Sequence, residues 1–105
     1  MDNSLKKLLR EDITIYHFDK MVEGDSTFLE PVVVKGLAIP KTTRMYDRDG
    51  EIVTTATSIY VDGTEFESLN QRDEFYTRFT GRVPAQKILP YPGLKGNIEL
   101  VEILI

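Results

Sequence analysis

Apolar and polar positions are most tightly organised between Ile52 and Val61, I-V-T-T-A-T-S-I-Y-V, where β-branched and aromatic residues dominate. Such residues are stiff at χ1 and pack well on a pleated surface, so the stretch predicts a strand. Val53, Thr55, Thr57, Ile59 and Val61 share one of its faces, and Ile52, Thr54, Ala56, Ser58 and Tyr60 share the other. Neither face is strongly polar or fully apolar, which predicts a central strand with one face in a core and the other half covered by a strand, loop or subunit. Turn chemistry brackets it, Asp47-Arg48-Asp49-Gly50 before and Asp62-Gly63 after, because glycine takes the positive φ of a tight turn without steric cost.

The flanking segments extend this pattern. Leu5, Leu8 and Leu9 recur at helical spacing within residues 1–10, with Asp2, Asn3 and Ser4 as possible N-caps, so a short amphipathic helix is expected there. It is too short to stand alone and must dock on its own domain or on a partner. Ile13 to Phe18, ITIYHF, reads as a first strand, and Glu23-Gly24-Asp25-Ser26 as a loop. VVVKGLAI between Pro31 and Pro40 reads as a second strand, with Gly36 marking a bulge or bend, and continues through Lys41 to Tyr46 toward the Asp47 turn. From Phe66 to Phe79 bulky and charged residues mix as in a helical turn followed by a short strand, with Phe75 and Phe79 expected in the core. Arg82 to Leu89 reads as a strand, Pro90-Tyr91-Pro92-Gly93 as a turn, and Asn97 to Ile105 as a terminal strand that sets Leu100, Glu102 and Leu104 against Val101, Ile103 and Ile105. The expected architecture is mainly β: a small antiparallel β-barrel of about five strands with one or two short helices, filled by Ile13, Val34, Ile59, Phe79 and Leu100. The domain division is an amphipathic segment over 1–10 and one barrel over 11–105.

Composition narrows the class. At 105 residues, 41% hydrophobic and 29% charged, the chain has room for one globular domain. It has no cysteine, which excludes disulfides, thiolate nucleophiles and Cys-based zinc sites and suits a reducing cytoplasm. No run approaches the roughly 20 apolar residues of a spanning helix, and MDNSLKKLLR lacks the apolar core of a signal peptide, so neither a membrane nor that secretory route is expected. A net charge of -4, with 13 scattered Lys and Arg, argues against a dedicated duplex binder.

Catalytic chemistry finds little purchase. His17 is the chain's single histidine, and a lone histidine within a strand reads as a hydrogen-bonded structural or surface residue. Asp47-Arg48-Asp49-Gly50 resembles part of a calcium loop, but placing Gly50 sixth puts Met45 first and Ala56 twelfth, where carboxylates are required. Gly93-Leu94-Lys95-Gly96 precedes a strand and lacks the helix N-terminus of a phosphate cradle. Neither an enzyme nor a cofactor or metal site is therefore expected. Aromatic and basic residues interleave, with Tyr46 near Arg44 and Arg48, and Phe75, Tyr76 and Phe79 near Arg72, Arg78 and Arg82. This opens an alternative, a small oligonucleotide-binding-like module for single-stranded nucleic acid.

The order of elements resembles the small head-closure, or stopper, proteins of long-tailed bacteriophages, which are also described as minor capsid or head-tail connector proteins. The resemblance covers about residues 11–105. It rests on ITIYHF, VVVKGLAIP, the long hairpin KTTRMYDRDGEIVTTATSIYVDG and the closing GLKGNIELVEILI, and on layout rather than on a catalytic fingerprint. It implies a β-barrel that assembles as a homo-oligomeric ring below the portal and adaptor, closes the DNA-filled head and presents a docking surface to tail-side proteins. It further implies a virion neck location, assembly in the bacterial host cytoplasm, packaged DNA nearby and no membrane. The loop that projects into the channel, as a gate or as a contact between subunits, then corresponds to Lys41, Thr42, Thr43, Arg44, Met45, Tyr46, Asp47, Arg48, Asp49, Gly50 and Glu51. Leu5, Leu8 and Leu9 are the expected partner-docking residues.

Overall fold

The computed structural model describes residues 7–47 and 50–105, and side chains within these except at 42–47 and 51–55. Among the described residues nine strands form, in order β1 Glu11–Tyr16, β2 Phe18–Val22, β3 Asp25–Phe28, β4 Val32–Asp47, β5 Gly50–Asp62, β6 Glu74–Thr77, β7 Thr80–Pro84, β8 Lys87–Pro92 and β9 Ile98–Leu104, with one 3₁₀ helix, Gly63–Ser68. Seven of them make one antiparallel sheet in the order β7-β6-β1-β4-β5-β9-β8, and β2 and β3 make a separate two-stranded ribbon. The mainly β class and antiparallel pairing agree with the pattern of the chain. The sheet is a curled half-barrel of seven strands, where about five were expected.

Connectivity forces the curl. In a flat sheet the two edge strands, β7 and β8, would lie about 29 Å apart at roughly 4.8 Å per strand. Only Ala85 and Gln86 separate them in the chain, and the steps from Pro84 to Lys87 reach at most about 11 Å. The edges must therefore approach, and Ala85 N–H donates to the Asp73 carbonyl at 3.4 Å while Gln86 N–H donates to the Leu104 carbonyl at 2.7 Å. The single strand expected over Arg82 to Leu89 is thus two strands on opposite edges. Pro90-Tyr91-Pro92, read as a turn, belongs to β8. Proline is tolerated there because β8 pairs only with β9, so a missing N–H can face outward.

The concave side holds the core: Ile13, Ile15, Ala38, Ile59, Val61, Phe75, Val101, Ile103 and Ile105, with Val34, Phe66, Leu69, Val83, Ala85, Ile88 and Ile98 packed around it. Two-residue alternation places these correctly on β1 and β5. Two expectations fail. Leu100 lies on the opposite face from Val101 and Ile103, and Phe79 is 46% exposed, because it sits in the β6–β7 hairpin turn with the Arg78 guanidinium 4.6 Å from its ring centre.

Glycines punctuate the fold in two different ways. Gly36 produces no bulge: it keeps register with both Glu11 and Val61. What it permits is close approach, since a Cβ there would sit 2.7 Å from the Tyr60 carbonyl oxygen and 2.8 Å from Ile13 Cγ1. Glu23 and Gly24, expected in a loop, instead close the β2–β3 hairpin with φ of 51° and 88°, as a two-residue primed turn requires. The helical turn and short strand expected between Phe66 and Phe79 are present as the 3₁₀ helix and β6. Asp62 caps that helix by accepting from Thr64 N–H at 3.0 Å.

Candidate assembly site

The stretch singled out as a channel or contact loop is the far half of an extended ribbon. Lys41, Thr42, Thr43, Arg44, Met45, Tyr46 and Asp47 lie on β4, and Gly50 and Glu51 on β5; Arg48 and Asp49 lie outside the described residues. β1 covers β4 only from Val32 to Gly36, and β9 covers β5 only from Ser58 to Asp62. The backbone of Ile105 adds one more bridge, to Thr57. Beyond that the seven pairs from Lys41↔Ala56 to Asp47↔Gly50 have no described strand on either side. At roughly 3.3 Å per residue they form an arm about 20 Å long. Its reach accounts for a radius of gyration of 15.5 Å and extents of 47 × 42 × 25 Å, against about 13 Å for a compact chain of this length. A two-stranded ribbon is marginally stable alone in water, so an arm of this kind gains most when something pairs with it or covers it.

At the arm's base, the open end of the half-barrel forms a cavity of about 470 Å³ lined by Pro40, Thr57, Phe79, Val83 and Ile105 among others. The convex face next to the arm carries a buried carboxylate that the sequence reading did not single out. Glu102, 8% exposed, accepts from Tyr91 Oη at 2.6 Å and from Tyr60 Oη at 3.2 Å. The Tyr91 hydrogen bond, helped by Ser58, Tyr60 and the nearby Lys41 charge, outweighs partial burial and holds the Glu102 carboxyl below its ordinary range. Reciprocally, donating to that carboxylate raises the Tyr91 phenol, since ionisation would break the bond and set two anions together. The network ties β5, β9 and edge strand β8 together on the outside, as the apolar core does on the inside.

Of the docking residues, Leu5 lies outside the described residues. Lys7 and Leu8 form a turn, and Leu8 and Leu9 line an apolar cavity of about 190 Å³ with Leu37, Tyr60 and Leu100 on the convex face. This seats the end of the N-terminal segment against its own domain and explains why Leu100 is absent from the core. Leu8 remains 57% exposed.

A second polar centre went unrecognised in the sequence. Asp73, 0% exposed, accepts from His17 Nδ1 at 2.9 Å, from Phe18 N–H at 2.7 Å and from Asn70 N–H at 2.9 Å. It pins the junction of β1 and β2 to the loop before β6, across more than 50 residues of chain, and gives His17 the structural role expected of it. Asp73→Asn offers one acceptor oxygen where two are used, so a loss of about 2 kcal/mol is expected in urea unfolding. A change below about 0.5 kcal/mol would show that the three donors find water instead.

Of the interleaved aromatic and basic residues, Arg78 lies over Phe79, Phe75 is buried and Tyr76 is 48% exposed, while Arg72 and Arg82 meet rings elsewhere in the chain. The Arg82 guanidinium lies 3.9 Å from the Tyr16 ring centre and 4.6 Å from that of Phe28, and its Nε donates to Glu74 at 2.6 Å. Arg72 lies over Phe18, and Arg78 pairs with Glu11 at 3.1 Å. Among the described residues no group of three or more His, Cys, Asp or Glu is arranged to hold a metal ion, and no helix is long and apolar enough to cross a membrane.

No family profile, curated protein or solved structure matches this chain.

Proposed function

We propose that this chain is a structural subunit of the neck of a long-tailed bacteriophage or prophage particle. In this reading it assembles as a homo-oligomeric ring below the portal and adaptor, closes the DNA-filled head and offers a docking surface to tail-side proteins. Its role is architectural rather than enzymatic, without a cofactor, and it acts in the virion with packaged DNA nearby. The observation that carries the reading is the arm, a ribbon about 20 Å long that stands clear of a small half-barrel and has no partner within the described chain. A monomeric domain has no use for so much unsupported strand, whereas a ring can use it to line a channel or to hold a neighbour.

The alternative, a module for single-stranded nucleic acid, has less support. A base-stacking surface needs free ring faces and free cations. Here Arg82, Arg72 and Arg78 occupy the rings of Tyr16, Phe28, Phe18 and Phe79, and Glu74 and Glu11 take up two of the three charges.

Replacing residues 42–55 by Asn-Gly would join Lys41 to Ala56 through a favoured two-residue turn and leave every core residue in place. The expected outcome is a body whose stability changes by less than about 1 kcal/mol, together with a large loss of infectivity, read by electron microscopy as emptied heads or heads without tails. Full infectivity would remove the arm from the mechanism. Tight, salt-sensitive binding of single-stranded DNA by the intact protein would favour the alternative.

A further inference from the structure

The direction of each backbone group along the arm follows from its ends. Thr57 exchanges both of its hydrogen bonds with Ile105, N–H to O at 3.3 Å and O to N–H at 3.0 Å, so its backbone faces away from β4. In an antiparallel strand this direction alternates. Thr55, Val53 and Glu51 therefore direct N–H and C=O to the same side as Thr57, along the line that β9 would follow, and no described strand meets them there. Their β4 partners Thr42, Arg44 and Tyr46 face the opposite edge, along the line that β1 leaves at Gly36.

The two edges are guarded differently. On the β4 edge Pro40 lies in the outward-facing set, so one donor is missing where the arm leaves the body. Proline at such a site is a common way of blunting an edge against unwanted pairing. The β5 edge has no proline between Gly50 and Asp62 and is open for its full length beyond Thr57. Net charge also differs between the strands: the β5 segment Gly50 to Ala56 carries Glu51 alone, and the β4 segment Lys41 to Asp47 carries Lys41 and Arg44 against Asp47.

We propose that the open β5 edge of the arm, at Glu51, Val53 and Thr55, pairs with the β4 edge of the arm of a second copy, at Thr42, Arg44 and Tyr46. The contact is heterologous, since each copy gives one edge and receives on the other, and a contact of that type closes into a ring when the rotation between copies is regular. β5 and β4 run in opposite directions within one arm, so copies related by rotation about a common axis bring β5 against a neighbouring β4 in the antiparallel sense. Repeated around the axis, the arms become a closed antiparallel cylinder with no edge left open. A second copy is the favoured occupant because one ribbon supplies both halves of the joint, with a net negative charge on one edge strand and a net positive charge on the other. The inference rests on the ring reading of the function and adds the contact by which the ring forms.

Val53→Pro tests it in the full chain. The Val53 N–H faces outward, so proline removes a donor from the joint and none from the β4–β5 ladder, and Pro40 shows that this ribbon accepts proline in an outward-facing position. Sedimentation velocity from micromolar to millimolar concentration is expected to show self-association of the wild-type chain and its loss in the variant, with the melting temperature within a few degrees of wild type. Hydrogen exchange is expected to slow across residues 50–56 as the wild-type protein associates. Should Val53→Pro fail to fold, Thr55→Pro makes the same test one outward position nearer the body. Association undiminished in a folded variant, or a wild-type chain that stays monomeric at millimolar concentration, overturns the proposal. Particles made without the protein separate this outcome from the neck reading. Leaking, tailless heads beside an unaffected proline variant would sink the arm joint and spare the neck role, whereas arm-dependent association with normal particles would do the reverse.

Discussion

Phe75→Ala is expected to lower the stability of the fold by about 3–5 kcal/mol, the usual cost of emptying a phenylalanine site that cannot collapse. Phe75 is the largest fully buried side chain among the described residues, and it stands where β6 pairs with both β1 and β7, opposite Ile15 on one side and Val83 on the other. Its cavity would open between strands already held in register by their own ladders, so neighbouring side chains cannot easily fill it. For a domain of this size that corresponds to a fall in melting temperature on the order of 15–25 °C. Urea unfolding should show the loss in the midpoint with an unchanged slope. Phe79→Ala provides the comparison: the ring is partly exposed in a hairpin turn, and its removal should cost under about 1 kcal/mol. Equal losses at the two positions would mean that the concave face has been assigned wrongly.

Gly63→Ala is expected to cost about 3 kcal/mol or more, through overlap rather than through a cavity. A Cβ at Gly63 would overlap the carbonyl oxygen and carbon of Ile98, so the first turn of the 3₁₀ helix would have to lift away from β9. Backbone cannot yield as the end of a flexible side chain can, because moving Ile98 disturbs the β8 and β9 pairing together. Gly81→Ala is the matching control. Nothing lies within 4 Å of its added methyl, and a shift below about 1 kcal/mol is expected, of either sign. An unchanged melting temperature for Gly63→Ala would show that the 3₁₀ helix is not held against β9 in solution.

Both expectations bear on the proposed role, because the arm is only as well placed as the body it leaves. β4 and β5 run without interruption from the core, where Ala38 and Ile59 are buried, into the unsupported pairs beyond Lys41. A strand anchored over that length aims the arm in one direction, and Glu102 with its two tyrosines braces the convex side of the same strands.

The sequence by itself determined the β class, the period-two faces of β1 and β5, and the existence of a long hairpin from Lys41 to Asp62, because these rest on alternation and turn residues within a few positions of each other. The helical turn and short strand after Asp62 were legible only in outline, because bulky and charged residues mix there without a clean period, and Phe79 was placed in the core when it lies in a turn. Only the tertiary structure decided what depends on distant parts of the chain. Ala85 and Gln86 join opposite edges of the sheet, which no local pattern distinguishes from the middle of a strand. Alternation on β9 separates Leu100 and Glu102 from Val101 and Ile103 but does not say which set faces the core: Leu100, expected inside, lies outside half covered by Leu8 and Leu9, and Tyr60 and Tyr91 bury Glu102. Asp73 reads as a loop aspartate until His17 and Phe18, more than 50 residues away, arrive as its donors. The arm itself was legible as a hairpin but not as a projection, since whether a strand is supported is settled by where β1 and β9 stop, and hydrophobic period says nothing about the length of a neighbour.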